Sequence, residues 1–100
     1  MDFKAIKQTT FQHVPEEAVF WAVRGDRIST VRDLINCMAS LSEEQWRHHV
    51  SKEKNDVANW VLHVLKNPLL AKDLQYPANV ESKEHFLKTL RDHVTWLETV

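Results

Sequence analysis

The chain has 100 residues, of which 43% are apolar and 27% are charged, and its formal net charge is −1. This balance is typical of one soluble globular domain and argues against a disordered chain or a basic nucleic-acid-binding tail. No apolar run reaches the roughly 20 residues of a membrane-spanning helix, and the first residues lack the apolar centre of a secretory signal.

Glycine and proline are scarce, with one Gly and three Pro in the chain. Few helix breaks are therefore available, and the sequence predicts an all-α fold, a compact bundle of about five helices in a single domain, 1–100. The same scarcity excludes glycine-rich phosphate loops and nucleophile elbows, which need several glycines. Residues 1–13 are predicted to form a short N-terminal arm that packs on a helical bundle over 15–98.

The first helix is predicted from Pro15 to Arg24. Proline is tolerated in a first helical turn, and Glu16 and Glu17 suit the positive end of a helix dipole. Gly25 then acts as the C-terminal stop. The run AVFWAV is also rich in residues that favour strands, but a strand here has no convincing partner, so we predict a helix.

Capping signals predict the next three helices. Thr30 caps the second helix, and Ser42 and Gln45 form a capping box at the start of the third. Asn55 or Asp56 caps the fourth helix. Apolar residues follow the spacing of one buried face in the second and fourth helices. These residues are Val31, Leu34, Ile35, Met38, Val57, Trp60, Val61, Val64 and Leu65.

The C-terminal part is predicted to contain a short helical turn, LLAKDL, and a last helix over about 80–98. The last helix carries one apolar stripe that faces the core, formed by Phe86, Leu87, Leu90, Val94 and Leu97. Trp96 lies off this stripe, and Trp21 is also not clearly directed inward. An exposed tryptophan is a common anchor for a protein partner, so both are candidates for an interaction surface. The alternative is that the N-terminal arm covers Trp96.

Few titratable residues are grouped in a way that could bind a metal ion or catalyse a reaction. His49 could bind a metal or transfer a proton, but the simpler interpretation is a core-edge histidine with a satisfied hydrogen bond. Asp56, Asn59 and His63 share one helical stripe, which could coordinate a cation, move a proton or simply face solvent. No zinc-ligand spacing occurs, and no metal site, cofactor or catalytic set is predicted. Cys37 is predicted to be an inert thiol; it cannot form an internal disulfide, which predicts a cytoplasmic protein.

The segment HVSKEKNDVANW contains the pattern H-V-x3-K-N-D-x3-W, formed by His49, Val50, Lys54, Asn55, Asp56 and Trp60. This pattern and its flanking chain, roughly residues 15–98, resemble a family of small uncharacterised prokaryotic domains. Lys66 and Asn67 stand where that family tends to have a Gly-Asp turn. The resemblance implies an all-helical unit that occurs alone or attached to other domains, and it implies no activity.

The same segment predicts a corner at which His49 meets the Asn55–Asp56 turn. A hydrogen bond between them could lock the angle between the third and fourth helices, with Trp60 one turn inside. The same side chains could instead bind the carboxylate or amide group of a ligand. The sequence leaves both interpretations open.

Two functions are expected from these patterns. The first is a non-enzymatic protein-interaction or scaffold module, as a partner-binding chain or a homodimer, that uses Trp21 or Trp96. The alternative is a small-ligand or metal-binding domain centred on His49, Lys54, Asn55, Asp56, Trp60 and His63. A third hypothesis, a hydrolase acting through His49 and Asp56, lacks a nucleophile or a metal. The scattered basic residues predict no nucleic-acid partner, and no membrane partner is expected.

Overall fold

The structure, a computed structural model, describes all residues 1–100 and contains seven α-helices, one 3-10 turn and one two-stranded hairpin. Helical residues make up 64% of the chain, so the mainly helical character of the predicted all-α fold is confirmed. The prediction omits the small two-stranded sheet, and its number of about five helices is too low. None of the helices combines the length and the apolar character needed to cross a membrane. The helices are α1 Phe3–Thr10, α2 Val31–Ser40, α3 Glu43–His49, α4 Asp56–His63, α5 Pro68–Leu74, α6 Pro77–Glu81 and α7 Lys83–Glu98; the 3-10 turn is Glu16–Ala18, and the strands are β1 Phe20–Trp21 and β2 Arg27–Ile28.

Side-chain caps place the starts of α2, α3 and α4 where the sequence predicts them. Thr30 Oγ1 accepts the N–H of the residue three positions on at 3.1 Å. Ser42 and Gln45 form the predicted capping box, with hydrogen bonds of 3.1 and 2.9 Å. At α4 the cap is Asn55, whose Oδ1 accepts the N–H of Ala58 at 3.0 Å. Because each cap acts within three residues, these starts can be read from local sequence.

The region predicted as a first helix, 15–24, forms a 3-10 turn followed by a β-hairpin, so the predicted helix is wrong. Strand β1 pairs antiparallel with β2, Phe20 opposite Ile28 and Trp21 opposite Arg27. The partner strand lies just beyond the turn, and it supplies the pairing that the sequence analysis did not find. Phe20 is buried and Trp21 is exposed, as expected for a strand with one face on the core.

Gly25 is required by the hairpin turn. Its φ of +101° lies in the left-handed region, which glycine adopts without a steric cost. The N–H of Gly25 donates to the carbonyl of Ala22 at 2.8 Å, and the N–H of Ala22 donates to the carbonyl of Asp26 at 3.0 Å. These bonds close a three-residue loop of the type that carries a left-handed residue at its end. Gly25 therefore belongs to a β-turn and not to the end of the predicted helix.

The predicted N-terminal arm, 1–13, contains a helix, α1, which the sequence analysis did not predict. Asp2 caps it by accepting two backbone N–H groups at 3.1 Å. Ile6 and Thr10 are its buried residues. Gln12 Nε2 donates to the carbonyl of Val64 at 3.2 Å, so this segment packs on the rest of the chain as predicted.

The predicted last helix is divided into α6 and α7 by a break at Ser82, which caps α7. Arg47 of α3 donates to the carbonyls of Val80 and Glu81 at 3.1 and 2.5 Å. These carbonyls belong to the last turn of α6, where a helix has no partners of its own. An arginine distant in sequence therefore stabilises the end of α6, whereas the Ser82 cap of α7 is a local signal that the sequence prediction missed.

The core contains most of the residues on the predicted apolar faces. Trp46 of α3 and Phe86 of α7 are fully buried, with ring centroids 5.5 Å apart in an edge-to-face arrangement. Ile35, Val64 and Leu87 are only partly buried. The other predicted core residues of α2, α4 and α7 are buried: Val31, Leu34, Met38, Val57, Trp60, Val61, Leu65, Leu90, Val94 and Leu97. Periodicity therefore predicts the inward faces of these three helices correctly.

Lys66, which links α4 to α5, is the one non-glycine residue with a positive φ, at +56°. A left-handed conformation costs a residue with a Cβ about 1–2 kcal/mol. Glycine in the same place loses more backbone entropy on folding, which offsets part of that difference.

Lys66→Gly should therefore raise the free energy of unfolding by about 0.5–1 kcal/mol, measured by urea denaturation. Lys66 is exposed, so little packing is lost with its side chain. Lys52→Gly is the matched control, because Lys52 is an exposed loop lysine without a positive φ and should not gain stability. A Lys66→Gly variant less stable than the unmodified chain would contradict the prediction.

Candidate functional site

The corner predicted around His49 is present in the structure. His49 is the last residue of α3, and its side chain is only 4% exposed. Its Nδ1 lies 3.0 Å from Oδ2 of Asp56, and its Nε2 accepts the N–H of Val23 at 2.9 Å. Because Nε2 is an acceptor, the ring proton is assigned to Nδ1, which donates to Asp56. Both ring nitrogens are thus used within the chain.

The other polar side chains of the corner are also bonded within the chain. Oδ2 of Asp56 lies 3.4 Å from Nζ of Lys54. Asn55 uses its oxygen in the α4 cap, and its amide donates to the carbonyl of Leu74 at 3.0 Å. Because the atoms that would hold a ligand already have partners, these contacts favour the structural interpretation of the corner.

The hairpin is the third part of the corner, and the sequence analysis did not predict it. Phe20 of β1 packs against the rings of His49 and Trp60, with centroids 5.1 and 6.0 Å away. Trp60 Nε1 donates to the carbonyl of Ala18 at 2.7 Å. Buried and exposed residues alternate in the run FWAV, but all four residues are apolar, so the sequence carries no alternating signal that could have located this contact. The corner therefore joins the hairpin to α3 and α4.

The polar stripe on α4 does not converge on the corner. Asn59 and His63 are exposed, and His63 lies at the opposite end of α4 from Asp56. No group of three or more His, Cys, Asp or Glu side chains lies close enough together to hold a metal ion. His63 is therefore a residue of the solvent face and is separate from the other predicted binding residues.

Cys37 is buried in α2 beside the Arg24–Asp26 ion pair, whose atoms are 2.8 Å apart. Burial, and to a smaller degree the Asp26 carboxylate, raises the pKa of the Cys37 thiol. A raised pKa disfavours the thiolate, which is the reactive form. These features agree with the inert thiol that the sequence predicts.

A polar groove of about 540 Å³ lies beside the corner. Lys54 and Asn55 line it, together with Lys52, Glu53 and Asn59. The other predicted binding residues, His49, Asp56, Trp60 and His63, are not among its lining residues. Of the six predicted binding residues, Lys54 and Asn55 therefore line the open polar groove, whereas the other four do not.

A second groove, of about 610 Å³, is formed by residues of α5, of α7 and of the link that follows α5. Trp96 and Tyr76, which are 42% and 55% exposed, both line it. Phe3 of α1 contacts Trp96 edge-on, with ring centroids 5.6 Å apart, so α1 covers only part of Trp96. We call this site the aromatic groove, and its lining residues are Leu69, Lys72, Asp73, Tyr76, Thr89, Asp92, His93 and Trp96.

Trp21, the other tryptophan predicted for an interaction surface, is not part of the aromatic groove. It is 57% exposed on β1, close to Val23, which is 46% exposed. The two predicted tryptophans therefore belong to different surfaces of the chain.

His93 connects the aromatic groove to a buried polar network. Asn67, the fully buried cap of α5, donates from Nδ2 to Oγ1 of Thr10 at 3.0 Å and to Nε2 of His93 at 2.9 Å. Its Oδ1 accepts the N–H of Leu70 at 2.9 Å. Burial lowers the pKa of His93, and the Asp73 carboxylate opposes this in part. The network thus uses neutral His93 as an acceptor and joins α1, α5 and α7.

Comparisons of the chain with protein-family models, with curated proteins and with solved structures find no significant match. The resemblance to the uncharacterised prokaryotic family therefore stays a prediction.

Of the eight residues that line the aromatic groove, only Trp96 was predicted as a site residue, and Asp73, Tyr76 and His93 are among the seven that were not. Tyr76 directly precedes Pro77 in the link between two short helices, where aromatic side chains have few neighbours to cover them. His93 lies three residues before Trp96 on α7, a spacing that places both on one side of a helix. These two local signals could have indicated the groove.

We expect the free energy of unfolding to fall as the pH drops below about 6.5. Because the folded pKa of His93 is lower than its ordinary value of 6.5, the unfolded state binds more protons in this range. Neutral His93 makes its full contribution to the free energy of unfolding at pH values above its ordinary pKa of 6.5. This contribution is lost as the pH falls through the lower pKa of the folded state. Urea denaturation between about pH 7.5 and 5.5 measures this loss.

His93→Gln is the control for this pH dependence. The Gln oxygen can accept the Asn67 amide proton but does not titrate in this range. The variant should therefore lose less stability than the unmodified chain over the same pH interval. An equal loss in both proteins would show that other groups cause the dependence.

Proposed function

We propose that this chain is a non-enzymatic protein-interaction module and that the aromatic groove is its docking site. The observation that carries the proposal is the exposure of Trp96 and Tyr76 around one groove. Tryptophan and tyrosine are the residues most enriched at the energetic centres of protein interfaces. Exposed apolar surface gathered in one place is typical of interaction sites, whereas single exposed apolar residues are not.

The core of the chain is formed without the side chains of Trp96 and Tyr76. α7 turns Phe86, Leu90, Val94 and Leu97 toward the core, and Trp96 lies outside that set. Tyr76 lies in a link whose neighbouring helices bury other residues. A partner that covers both rings would remove their apolar surface from water, which is the main favourable term in protein association.

The proposal is tested by selecting displayed random peptides on the unmodified chain and measuring their binding to two variants. Trp96→Ala should weaken the selected peptides by at least about 30-fold, the effect of losing a hot-spot residue worth about 2 kcal/mol. Trp21→Ala is the matched control, because it removes an equally large exposed ring from another surface, and it should change binding by less than about twofold. Circular dichroism melts confirm that both variants fold.

Two results would contradict this docking site. Peptides that bind Trp96→Ala normally but fail on Trp21→Ala would move the site to the hairpin. A selection whose peptides depend on neither tryptophan would remove the aromatic interaction surface altogether.

A second copy of the chain is the other occupant that the sequence suggests. Size-exclusion chromatography with light scattering at rising concentration measures self-association directly. A dimer that is lost in Trp96→Ala would assign the aromatic groove to a homodimer interface. A chain that stays monomeric at every concentration would exclude a second copy as the occupant, and the partner would then be a different protein.

A second candidate function is small-ligand binding in the polar groove. It is supported by Lys52 and Asn59, which line the groove and are exposed. Thermal unfolding with inorganic phosphate, small carboxylates and divalent metal ions tests it, since a ligand at a hundred times its Kd adds about 2.7 kcal/mol of stability. A gain from phosphate or a carboxylate should disappear in Lys52→Ala, because the variant lacks the ammonium group that attracts an anion. No stabilisation by any of these compounds would exclude this function for those ligand classes.

A further inference from the structure

We infer that the partner segment bound in the aromatic groove presents a cationic side chain, an arginine or a lysine, to Asp73 and Trp96. This inference rests on the proposed docking function and names the chemistry of the partner.

Asp73 is the carboxylate that a ligand can use. Its side chain is partly buried and lines the groove. Its carboxylate oxygens form no hydrogen bond or ion pair within the chain, whereas the other groove carboxylate, Asp92, is paired with Lys88 at 2.6 Å. A half-buried carboxylate is more stable with a charged donor, because hydrogen bonds to ionised groups are the strong ones.

The neighbouring cations do not neutralise Asp73. Lys72 also lines the groove, but it is exposed and forms no ion pair with this carboxylate. Burial lowers the pKa of His93, so that its ring is neutral at pH 7 and acts as an acceptor for Asn67. The negative charge of Asp73 is therefore available to a partner.

The aromatic rings favour the same kind of side chain. Trp96 and Tyr76 line the groove together with Asp73, and both side chains are partly exposed to solvent. A cation over a tryptophan or tyrosine face is attracted by the ring, and arginine in particular combines this contact with a paired carboxylate.

Other occupants fit the groove less well. An acidic segment would place a like charge against Asp73 and Asp92. A purely apolar segment would remove water from Asp73 without giving the carboxylate a partner. A cationic side chain flanked by apolar residues satisfies both the carboxylate and the rings.

The test is a titration of the ¹⁵N-labelled full chain with two capped tripeptides, Ala-Arg-Ala and Ala-citrulline-Ala. Citrulline has the shape of arginine without its charge, so the pair isolates the charge. We expect the arginine peptide to shift the Trp96 indole N–H signal at about 10 mM and to bind at least about tenfold more tightly than the citrulline peptide.

Two variants test the role of the carboxylate. Asp73→Asn should weaken the arginine peptide by about tenfold and leave the citrulline peptide unchanged. Asp33→Asn is the matched control, because it changes the net charge equally at an exposed carboxylate outside the groove. Its affinity for the arginine peptide should equal that of the unmodified chain.

The outcomes separate this inference from the proposed function. Equal binding of both peptides, or no effect of Asp73→Asn, would overturn the cationic partner while the docking site stands. No shift of the Trp96 signal by either peptide would also overturn the inference, and the Trp96-dependent peptide selection then decides the docking function separately. A Trp96 signal that moves with protein concentration alone would assign the groove to a second copy.

Discussion

Replacing Asn67 by alanine should lower the free energy of unfolding by about 3 kcal/mol. Asn67 is fully buried, and its amide makes all three of its hydrogen bonds to Thr10, His93 and the N–H of Leu70. Alanine removes a helix cap, worth about 1 kcal/mol, and leaves buried polar groups without partners at about 1–3 kcal/mol. Urea denaturation at pH 7.5 measures the loss with His93 neutral.

Asn59→Ala is the control for this prediction, because Asn59 is exposed and its side chain makes no hydrogen bond within the chain. It should change stability by less than about 0.5 kcal/mol. Asn67→Asp separates the two parts of the network, since a carboxylate can still cap α5 but cannot donate to Thr10 and His93. A loss below about 1 kcal/mol for Asn67→Ala would contradict a structural role for the network.

His49→Ala should lower the free energy of unfolding by about 2–3 kcal/mol. The change removes a buried ring that packs on Phe20, and it leaves the N–H of Val23 and the carboxylate of Asp56 without their partner. If the corner were a ligand site, the same variant would fold with nearly unchanged stability and would lose only binding. Thermal or urea denaturation therefore distinguishes the two interpretations of the corner.

His48→Ala provides a matched control, because His48 is the adjacent residue on α3 and is exposed. Its effect should stay within about 0.5 kcal/mol. A double-mutant cycle with Asp56→Ala should give a coupling energy of at least about 0.5 kcal/mol, as expected for residues in direct contact. Additive effects of the two substitutions would show that the hydrogen bond does not stabilise the corner.

The parts of the fold that the sequence predicts are those whose signals lie within one or two helical turns. The caps at Thr30, Ser42 and Asn55 act on residues three positions away, and the starts of α2, α3 and α4 are correct for that reason. The contact between His49 and Asp56 spans only a short loop, so its chemistry was also accessible from the sequence.

The hairpin was not predicted because two sequence features around it are also typical of the two ends of a helix. Pro15 followed by two glutamates is typical of a helix start, and here it begins a single 3-10 turn. A glycine after an apolar run is typical of a helix end, and Gly25 supplies a left-handed turn residue instead. Strands of two residues give too short an alternation to decide between these alternatives.

The aromatic groove was only partly predictable, because it forms between residues distant in the sequence. Trp96 was a candidate since it lies off the apolar stripe of α7. Its neighbours Asp73 and Tyr76 come from α5 and the link that follows it, and they meet α7 only through tertiary packing. The network of Thr10, Asn67 and His93 likewise joins three helices, and no local pattern connects them.

Six of the seven α-helices begin on a side chain that accepts a backbone N–H of the first turn. Such caps stabilise a nascent helix before any tertiary contact exists, which lowers the barrier to helix nucleation. Proteins dominated by local contacts fold faster than those that depend on distant pairings. The 3-10 turn, the hairpin and the α1 segment make polar contacts to Trp60, His49 and Asn67, respectively, over long stretches of chain. We therefore expect these elements to dock last during folding.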